Sequence, residues 1–371
     1  MQKLIKPDWK NNILNISATL AEFLGAPNEN ATLQVLKDEL SKGYKNVVYV
    51  CFDGMGTNPL EINLPESDFL RAHTVKTLTS TFPSTTTNAT TSLATNKLPL
   101  EHGWLGWSLH FEEIGRNVDV YLRRDSQTGE LIEDFKYPMI DDSDCYFYQA
   151  TRTDYEINTV FPKYISCKQE FNHVIQGLED IFDTLRDICG KRNKQFVYAY
   201  CPEPDHFMHD NGVTNPDTQK MIQSISDSLQ KLRNETSDTL FIVSADHGQV
   251  DVQGYVDIRD DDELNSMLKY PLYLDSRSPA FIVKRGKKRQ FAKLFKERYG
   301  EDFVLFKTRD LIKQNYFGDR GEYGYLLGDF VASGTDTNKM FIAPKPEVDY
   351  KKGHHTALAK EMLVPLILFH S

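Results

Sequence analysis

Apolar positions along the chain fall into short unbroken runs rich in β-branched and aromatic residues: residues 46–52 (NVVYVCF), 196–201 (FVYAYC), 239–243 (TLFIV) and 364–369 (VPLILF). Each is too short for a buried helix and lacks polar alternation, which predicts strands covered on both faces. Between them the period lengthens. Residues 31–43 (ATLQVLKDELSKG) set Leu33, Val35, Leu36 and Leu40 at helical spacing and end on Gly43. Residues 170–189 and 217–232 predict helices in the same way. Strands alternating with helices imply an α/β fold: a doubly wound, mostly parallel central sheet with helices on both faces.

Two regions break the rhythm. Residues 104–167 are rich in aromatics, acids and turn formers, with a hairpin expected at Ser126-Gln127-Thr128-Gly129. They are read as a lid-like insertion. Residues 276–344 hold FIVK, a helix through Phe291 and Phe295, the run FVLFK and a further short helix. They are read as a small inserted α+β subdomain of one catalytic domain spanning residues 1–371.

Composition narrows the picture. At 40% hydrophobic residues the chain can bury a substantial core, and no apolar run approaches the ~20 residues of a membrane span. The N-terminus lacks the apolar core and cleavage site of a signal peptide. Cys51, Cys145, Cys167, Cys189 and Cys201 are odd in number and scattered, which favours a reducing, cytoplasmic compartment over a disulfide framework. The net charge is −10, and the one dense basic stretch, residues 284–289, reads as a solvated turn leading into a helix. A duplex nucleic acid is therefore not the expected partner. A small anionic substrate steered by bound cations needs no basic face.

Five segments carry chemistry. Asp53 stands at the carboxyl end of the first strand, where open α/β sheets bind ligands, although an aspartate there serves equally as a helix N-cap. Residues 82–95 (FPSTTTNATTSLAT) concentrate hydroxyls before a helix, either to cap it or to set an alkoxide nucleophile at its N-terminus, where free N–H groups favour an anion. Asp205 and His209 share one face of a helical turn and make half a metal site. Asp246 and His247 are adjacent, so they converge on one ion only if the strand ends there, as Gly248 suggests. His354 and His355 precede the last strand. Two mixed Asp/His sites about 3.5–4 Å apart would clamp the attacking and departing oxygens of a phosphoryl displacement.

VVYVCFDGMG, TFPSTTTNATTSLATNKLPLEHG, EPDHFMH, VSADHGQ and GHHTALAKEMLVPLI resemble, in order, the signature segments of the nucleotide pyrophosphatase/phosphodiesterase family of the alkaline phosphatase superfamily. The resemblance runs from about residue 45 to the C-terminus. It implies one divalent ion on Asp205, His209 and His355, and another on Asp53, Asp246, His247 and the nucleophile, with zinc expected and manganese as the alternative. The family places its nucleophilic threonine three residues after a proline, here Pro83, which points to Thr86 among the hydroxylated neighbours Ser84, Thr85 and Thr87. The family's histidine ligand precedes a small-residue step, which favours His355 over His354. The implied reaction is hydrolysis of a small phosphodiester or pyrophosphate, such as a nucleotide, through a phosphoryl-threonine intermediate.

The chain departs from the family pattern in two places. TNA replaces FPN after the nucleophile, and Trp104-Leu105-Gly106-Trp107 stands where an asparagine would help bind the phosphoryl oxygen. Asn88 is a substitute donor in this reading. Trp104 and Trp107 either stack on a substrate ring or pack the insertion onto the core. A C–P hydrolase resembling phosphonoacetate hydrolases keeps the same metals and is the alternative, as is a phosphomonoesterase or mutase. A sulfatase is disfavoured for want of a CxPSR-like segment. No arginine neighbours these motifs to clamp a dianionic monoester, and the nearest basic residue after Thr86 is Lys97.

Overall fold

The structure is a computed structural model that describes residues 4–132, 142–163, 172–342, 352–355 and 359–371. Cys167, Glu170 and Thr356 lie outside the described residues. The central sheet has, in chain order, β1 (Asn46–Phe52), β2 (Thr74–Thr79), β3 (Tyr155–Pro162), β4 (His173–Ile175), β5 (Lys194–Cys201), β6 (Thr239–Ser244) and β7 (Leu363–His370). They are arranged as β2-β7-β6-β1-β5-β3-β4. β1 is buried throughout and runs parallel to both neighbours, with Val48 opposite Val197 on one side and Phe241 on the other. Its continuous apolar run follows from burial on both faces. β7 instead runs antiparallel to β6 and to β2, a direction that its equally apolar run does not encode.

The helices Leu14–Leu24, Leu178–Cys189 and Pro216–Glu235 share one core with these strands, through Ile16, Leu20, Ile181, Leu185, Ile222, Ile225 and Leu229. The helix expected over residues 31–43 is shorter, Gln34–Leu40. The one expected from residue 170 begins at Leu178, because His173–Ile175 is spent on the edge strand β4. β2 and β3 escape the apolar pattern, β2 because it is a half-exposed edge with alternating threonines and lysine.

A second seven-stranded sheet draws on both regions that interrupt the alternation. Strands Ser108–Phe111, Arg116–Asp119 and Arg124–Asp125 join Tyr273–Leu274, Pro279–Phe281, Phe303–Lys307 and Phe330–Gly334 through the pairing of Ser108 with Leu274. Leu109, Val118, Leu274 and Val331 meet in a common apolar cluster beneath it. The turn at residues 126–129 is held by Asp125 Oδ1, which accepts from the backbone N–H groups of Gln127 and Thr128 at 2.9 Å each. β3, although within residues 104–167, belongs to the central sheet.

Among the described residues no helix is long and apolar enough to cross a membrane. Cys51, Cys145, Cys189 and Cys201 are free thiols, with Cys51 and Cys201 buried in β1 and β5.

Helix Pro216–Glu235 buries Ile222, Ile225, Leu229 and Leu232 at helical spacing. Leu229→Ala leaves a cavity at a fully buried site and is expected to lower unfolding stability by about 2–5 kcal/mol. Lys220→Ala, on the exposed face, stays within about 0.5 kcal/mol of wild type. Urea unfolding of the two variants checks the difference.

Candidate metal and phosphoryl-transfer site

Three adjacent parallel strands, β6, β1 and β5, deliver acids at their carboxyl ends. Asp53 follows β1, Asp205 opens the helix Asp205–Asn211 just beyond β5, and Asp246 and His247 follow β6. Backbone hydrogen bonds fix these ends to one another: Asp53 N–H donates to the Cys201 carbonyl at 2.9 Å and Asp205 N–H to the Asp53 carbonyl at 3.0 Å. Gly54 sits at φ +70°, and a Cβ there would lie 2.8 Å from Asp205 Oδ1, so only glycine allows the two acids to approach. β6 ends at Ser244, which frees Asp246 and His247 from opposite-face alternation. Asp246 Oδ1 then accepts from Gly54 N–H at 3.1 Å and from His247 N–H at 2.9 Å.

The hydroxyl-rich segment places Thr86 as the first residue of the helix Thr86–Thr95, with Thr85 as its extended N-cap. All four hydroxylated residues are buried, Ser84, Thr85 and Thr87 at 0%, 1% and 0% exposure and Thr86 at 9%, the least shielded of them. Thr86 Oγ1 lies 3.2 Å from His247 Nε2 and 3.5 Å from Asp53 Oδ1. His247 Nε2 is in turn 3.3 Å from Asp53 Oδ1 and 3.4 Å from Asp246 Oδ2. On the other side, one turn of the helix Asp205–Asn211 brings His209 Nε2 to 3.1 Å from Asp205 Oδ2. Ligand atoms of Asp205, His209 and His355 fall within 4.8 Å of one another, as do those of Asp53, Asp205 and His247. The His355 ring packs against that of His247, with centroids 3.9 Å apart. The structure thus brings all seven expected residues, Asp53, Thr86, Asp205, His209, Asp246, His247 and His355, into one buried cluster.

Burial, and then the adjacent Asp246 and Asp205 carboxylates, push the Asp53 carboxyl well above its ordinary range. Burial raises Asp246 as well. Burial also opposes the charged form of Asp205, but His209, His247 and Gln249 together hold it low. Burial drives both His354 and His355 well below the usual imidazole range, helped for His354 by His209 and Arg277 and for His355 by His247, His354 and His209. Neutral imidazoles beside crowded carboxylates are the donor set that divalent cations take. Asp246 Oδ2 is buried without a hydrogen bond, an orphan that a cation would satisfy.

Sequence patterns missed the residues that aim these ligands. Tyr200, on β5, donates its hydroxyl to Asp53 Oδ2, and Gln249 donates its amide to Asp205 Oδ1. His209 Nδ1 lies 2.8 Å from the Gly353 carbonyl, which leaves Nε2 facing the site. Asp275, from the loop after strand Tyr273–Leu274, groups with His354 and His355 within 4.8 Å, and burial raises its carboxyl to about 6. Tyr200 and Gln249 each had one available signal, their place within or just beyond a motif-bearing strand. Asp275 had none, because the second sheet brings it in from afar.

Asn88, read as a substitute donor, is fully buried, and its amide donates to the carbonyls of Phe82 at 3.0 Å and Pro83 at 3.1 Å, which commits its N–H groups to the loop before Thr86. Trp104 and Trp107 are half-buried, and both pack edge-on to Tyr121, at centroid distances of 5.2 and 6.5 Å. Tyr121 in turn hydrogen-bonds Thr90, whose hydroxyl donates to the Thr86 carbonyl at 2.7 Å. The aromatic group therefore adjoins the nucleophile helix. Lys97 is paired with Asp144 at 2.7 Å.

Comparison with known proteins places this geometry. The murine ectonucleotide pyrophosphatase / phosphodiesterase 5 (ENPP5, NPP5) superposes with a TM-score of 0.65 at 15% identity, covering 88% of each chain. An inactive threonine-to-alanine variant of that murine protein, in complex with AMP, gives 0.62 at 16% identity over 86% of this chain and 87% of that one. The phosphonoacetate hydrolase from Sinorhizobium meliloti 1021, in complex with phosphonoformate, gives 0.59 at 14% identity over 86% and 89%. At such identities the likeness speaks to the fold. No curated protein matches by sequence. Residues 47–355, however, match the family described as type I phosphodiesterase / nucleotide pyrophosphatase. With that match spanning every segment of the site, the chain belongs to the type I phosphodiesterase / nucleotide pyrophosphatase family, hydrolases of phosphoric ester bonds.

Proposed function

We propose that this hydrolase cleaves a small phosphodiester or pyrophosphate of nucleotide type by way of a covalent phosphoryl-threonine at Thr86. The observation that carries the reading is Thr86 Oγ1 at a helix N-terminus, 3.2 Å from His247 Nε2 and 3.5 Å from Asp53 Oδ1. Asp205, His209 and His355 would hold one divalent cation and Asp53, Asp246, His247 and Thr86 the other, with zinc preferred and manganese possible. Such cations, when bound, supply charge neutralisation for the phosphoryl oxygens and lower the pKa of the threonine hydroxyl.

The chain's own groups do the rest. The N-terminal N–H groups of helix Thr86–Thr95 point at the phosphoryl group and favour its negative charge. The Thr86 hydroxyl gives its proton to water and its oxygen bonds to phosphorus as the ester oxygen departs and takes up a proton; a water then cleaves the Thr86–phosphorus link, its hydroxyl going to phosphorus and its proton to Oγ1. Tyr200 and Gln249 hold the Asp53 and Asp205 carboxylates in place while this happens. Trp104 and Trp107 are the surface against which a ring of the substrate would lie. The AMP bound by the inactive murine variant supports a nucleotide-like substrate, and that variant's lost threonine supports a threonine nucleophile. A C–P hydrolase is the second reading, favoured by the likeness to phosphonoacetate hydrolase.

Purified protein is expected to carry about two transition-metal ions per chain and to lose activity on chelation. Elemental mass spectrometry finding one ion or none in protein active without added metal contradicts this.

Thr86→Ala is expected to reduce turnover on the order of 10³-fold or more with the fold retained. An active Thr86→Ala beside an inactive Thr85→Ala would shift the nucleophile by one residue. Activity retained in both would remove the covalent mechanism.

An aryl phosphodiester should exceed the aryl phosphomonoester in kcat/KM by at least roughly tenfold, about 1.4 kcal/mol of differential transition-state binding. Preference for the monoester points to a phosphatase or mutase. Faster release of phosphate from phosphonoacetate points to the C–P hydrolase.

A further inference from the structure

Arg277 is the largest fully buried side chain among the described residues, and it comes from a loop of the second sheet rather than from any catalytic motif. Its Nε donates to Glu361 Oε1 at 2.7 Å, and both groups are wholly shielded from solvent. Nη1 donates to the Lys339 carbonyl at 2.8 Å and Nη2 approaches the Thr335 carbonyl at 3.4 Å. The guanidinium lies against Gly334, where a Cβ would come within 3.0 Å of its central carbon. A buried ion pair is seldom a net source of stability, because desolvation offsets much of the attraction. Its placement suggests another use.

Glu361 belongs to the short helix Ala359–Met362, which braces the Asp246–His247 loop and the loop before Thr86 through its backbone. The Glu361 carbonyl accepts from Gly248 N–H at 2.7 Å, directly after His247. The Met362 carbonyl accepts from Ser80 N–H at 2.7 Å, in the loop leading to Thr86, and the Ser80 hydroxyl donates to the Asp246 carbonyl. Gly248 is wedged so closely that a Cβ on it would lie 2.5 Å from the Lys360 carbonyl. The helix therefore sets the gap between the nucleophile loop and the Asp246–His247 loop.

We propose that Arg277, through Glu361, is a positioning residue that fixes the register of His247 against Thr86 and so couples the second sheet to phosphoryl transfer. The inference rests on the roles assigned to Thr86 and His247 above. The Arg277 side chain reaches the site through Glu361, while its backbone N–H donates to Asp275 Oδ1 at 2.9 Å. Its pull on Glu361 holds the helix, and the helix holds both loops.

The test compares Arg277→Met, the charge-free double variant Arg277→Met/Glu361→Met, and Arg277→Lys with wild type. The readouts are urea unfolding of metal-free protein, zinc retained per chain after dialysis, and kcat and KM for an aryl phosphodiester. Arg277→Met strands the Glu361 charge and is expected to unfold at lower urea. The double variant removes both charges and should regain the wild-type midpoint. Its kcat should nonetheless stay roughly 10- to 100-fold low at little-changed KM, with weaker zinc retention, as for other groups that orient metal ligands indirectly. A double variant with wild-type stability, kcat and zinc retention overturns the proposal and makes the pair purely structural. Arg277→Lys keeps the buried charge but loses the planar fork, so it gives the same comparison should the apolar pair fail to fold. A kcat about tenfold low at unchanged KM is expected of it, and wild-type kcat overturns the assignment. If wild type cleaves no phosphodiester, the proposed function fails instead, and zinc retention in the variants alone decides the role of Arg277.

Discussion

The crowding of negative charge at the ends of β6, β1 and β5 is the constraint on which the rest depends. Asp53, Asp205 and Asp246 are all nearly inaccessible to solvent, and ligand atoms of the first two lie within 4.8 Å of each other. Two unit charges about 4 Å apart at an effective dielectric of about 20 repel by roughly 4 kcal/mol. No fold assembles such a cluster by chance of packing. It is tolerated because imidazoles interleave with the acids, because Tyr200 and Gln249 donate to them, and because cations complete the balance.

The sheet makes that cluster affordable by rigidity. Parallel strands buried on both faces cannot shift register without moving a whole apolar layer, so the three acids at their ends are held at fixed spacing. Elements remote in sequence then close around them. The last strand brings the helix Ala359–Met362 beside the Asp246–His247 loop, and the second sheet brings Asp275 and Arg277. The site is thus a joint product of the central sheet, which supplies candidate ligands at its strand ends, and of the second sheet, which supplies Asp275 and Arg277 beside them.

Much of this was legible in the residues. β1 falls on the apolar run that announces it, and the acids and histidines after β1, β5 and β6 cluster as their motifs suggest. Thr86, 9% exposed, is the least shielded of the four hydroxylated residues that follow Pro83. What escaped has physical causes. An apolar run carries no direction, so the antiparallel β7 was invisible. Edge strands such as β2 and β4 lack the double burial that writes an apolar run. Asn88 looked available because composition does not reveal that the Phe82 and Pro83 carbonyls would claim its amide. Arg277 and Asp275 sit in a stretch with no catalytic signature, since their meaning comes from tertiary contacts with the last part of the chain, the 277–361 pair being separated by 84 residues.

The most direct test of the account is an anomalous difference map from a crystal of the protein grown with zinc. Two peaks are predicted, one within bonding distance of Asp205, His209 and His355, the other of Asp53, Asp246, His247 and Thr86 Oγ1. A single peak, or a peak held by Asp275, His354 and His355 in place of either, would contradict the two-site arrangement on which the threonine mechanism is built.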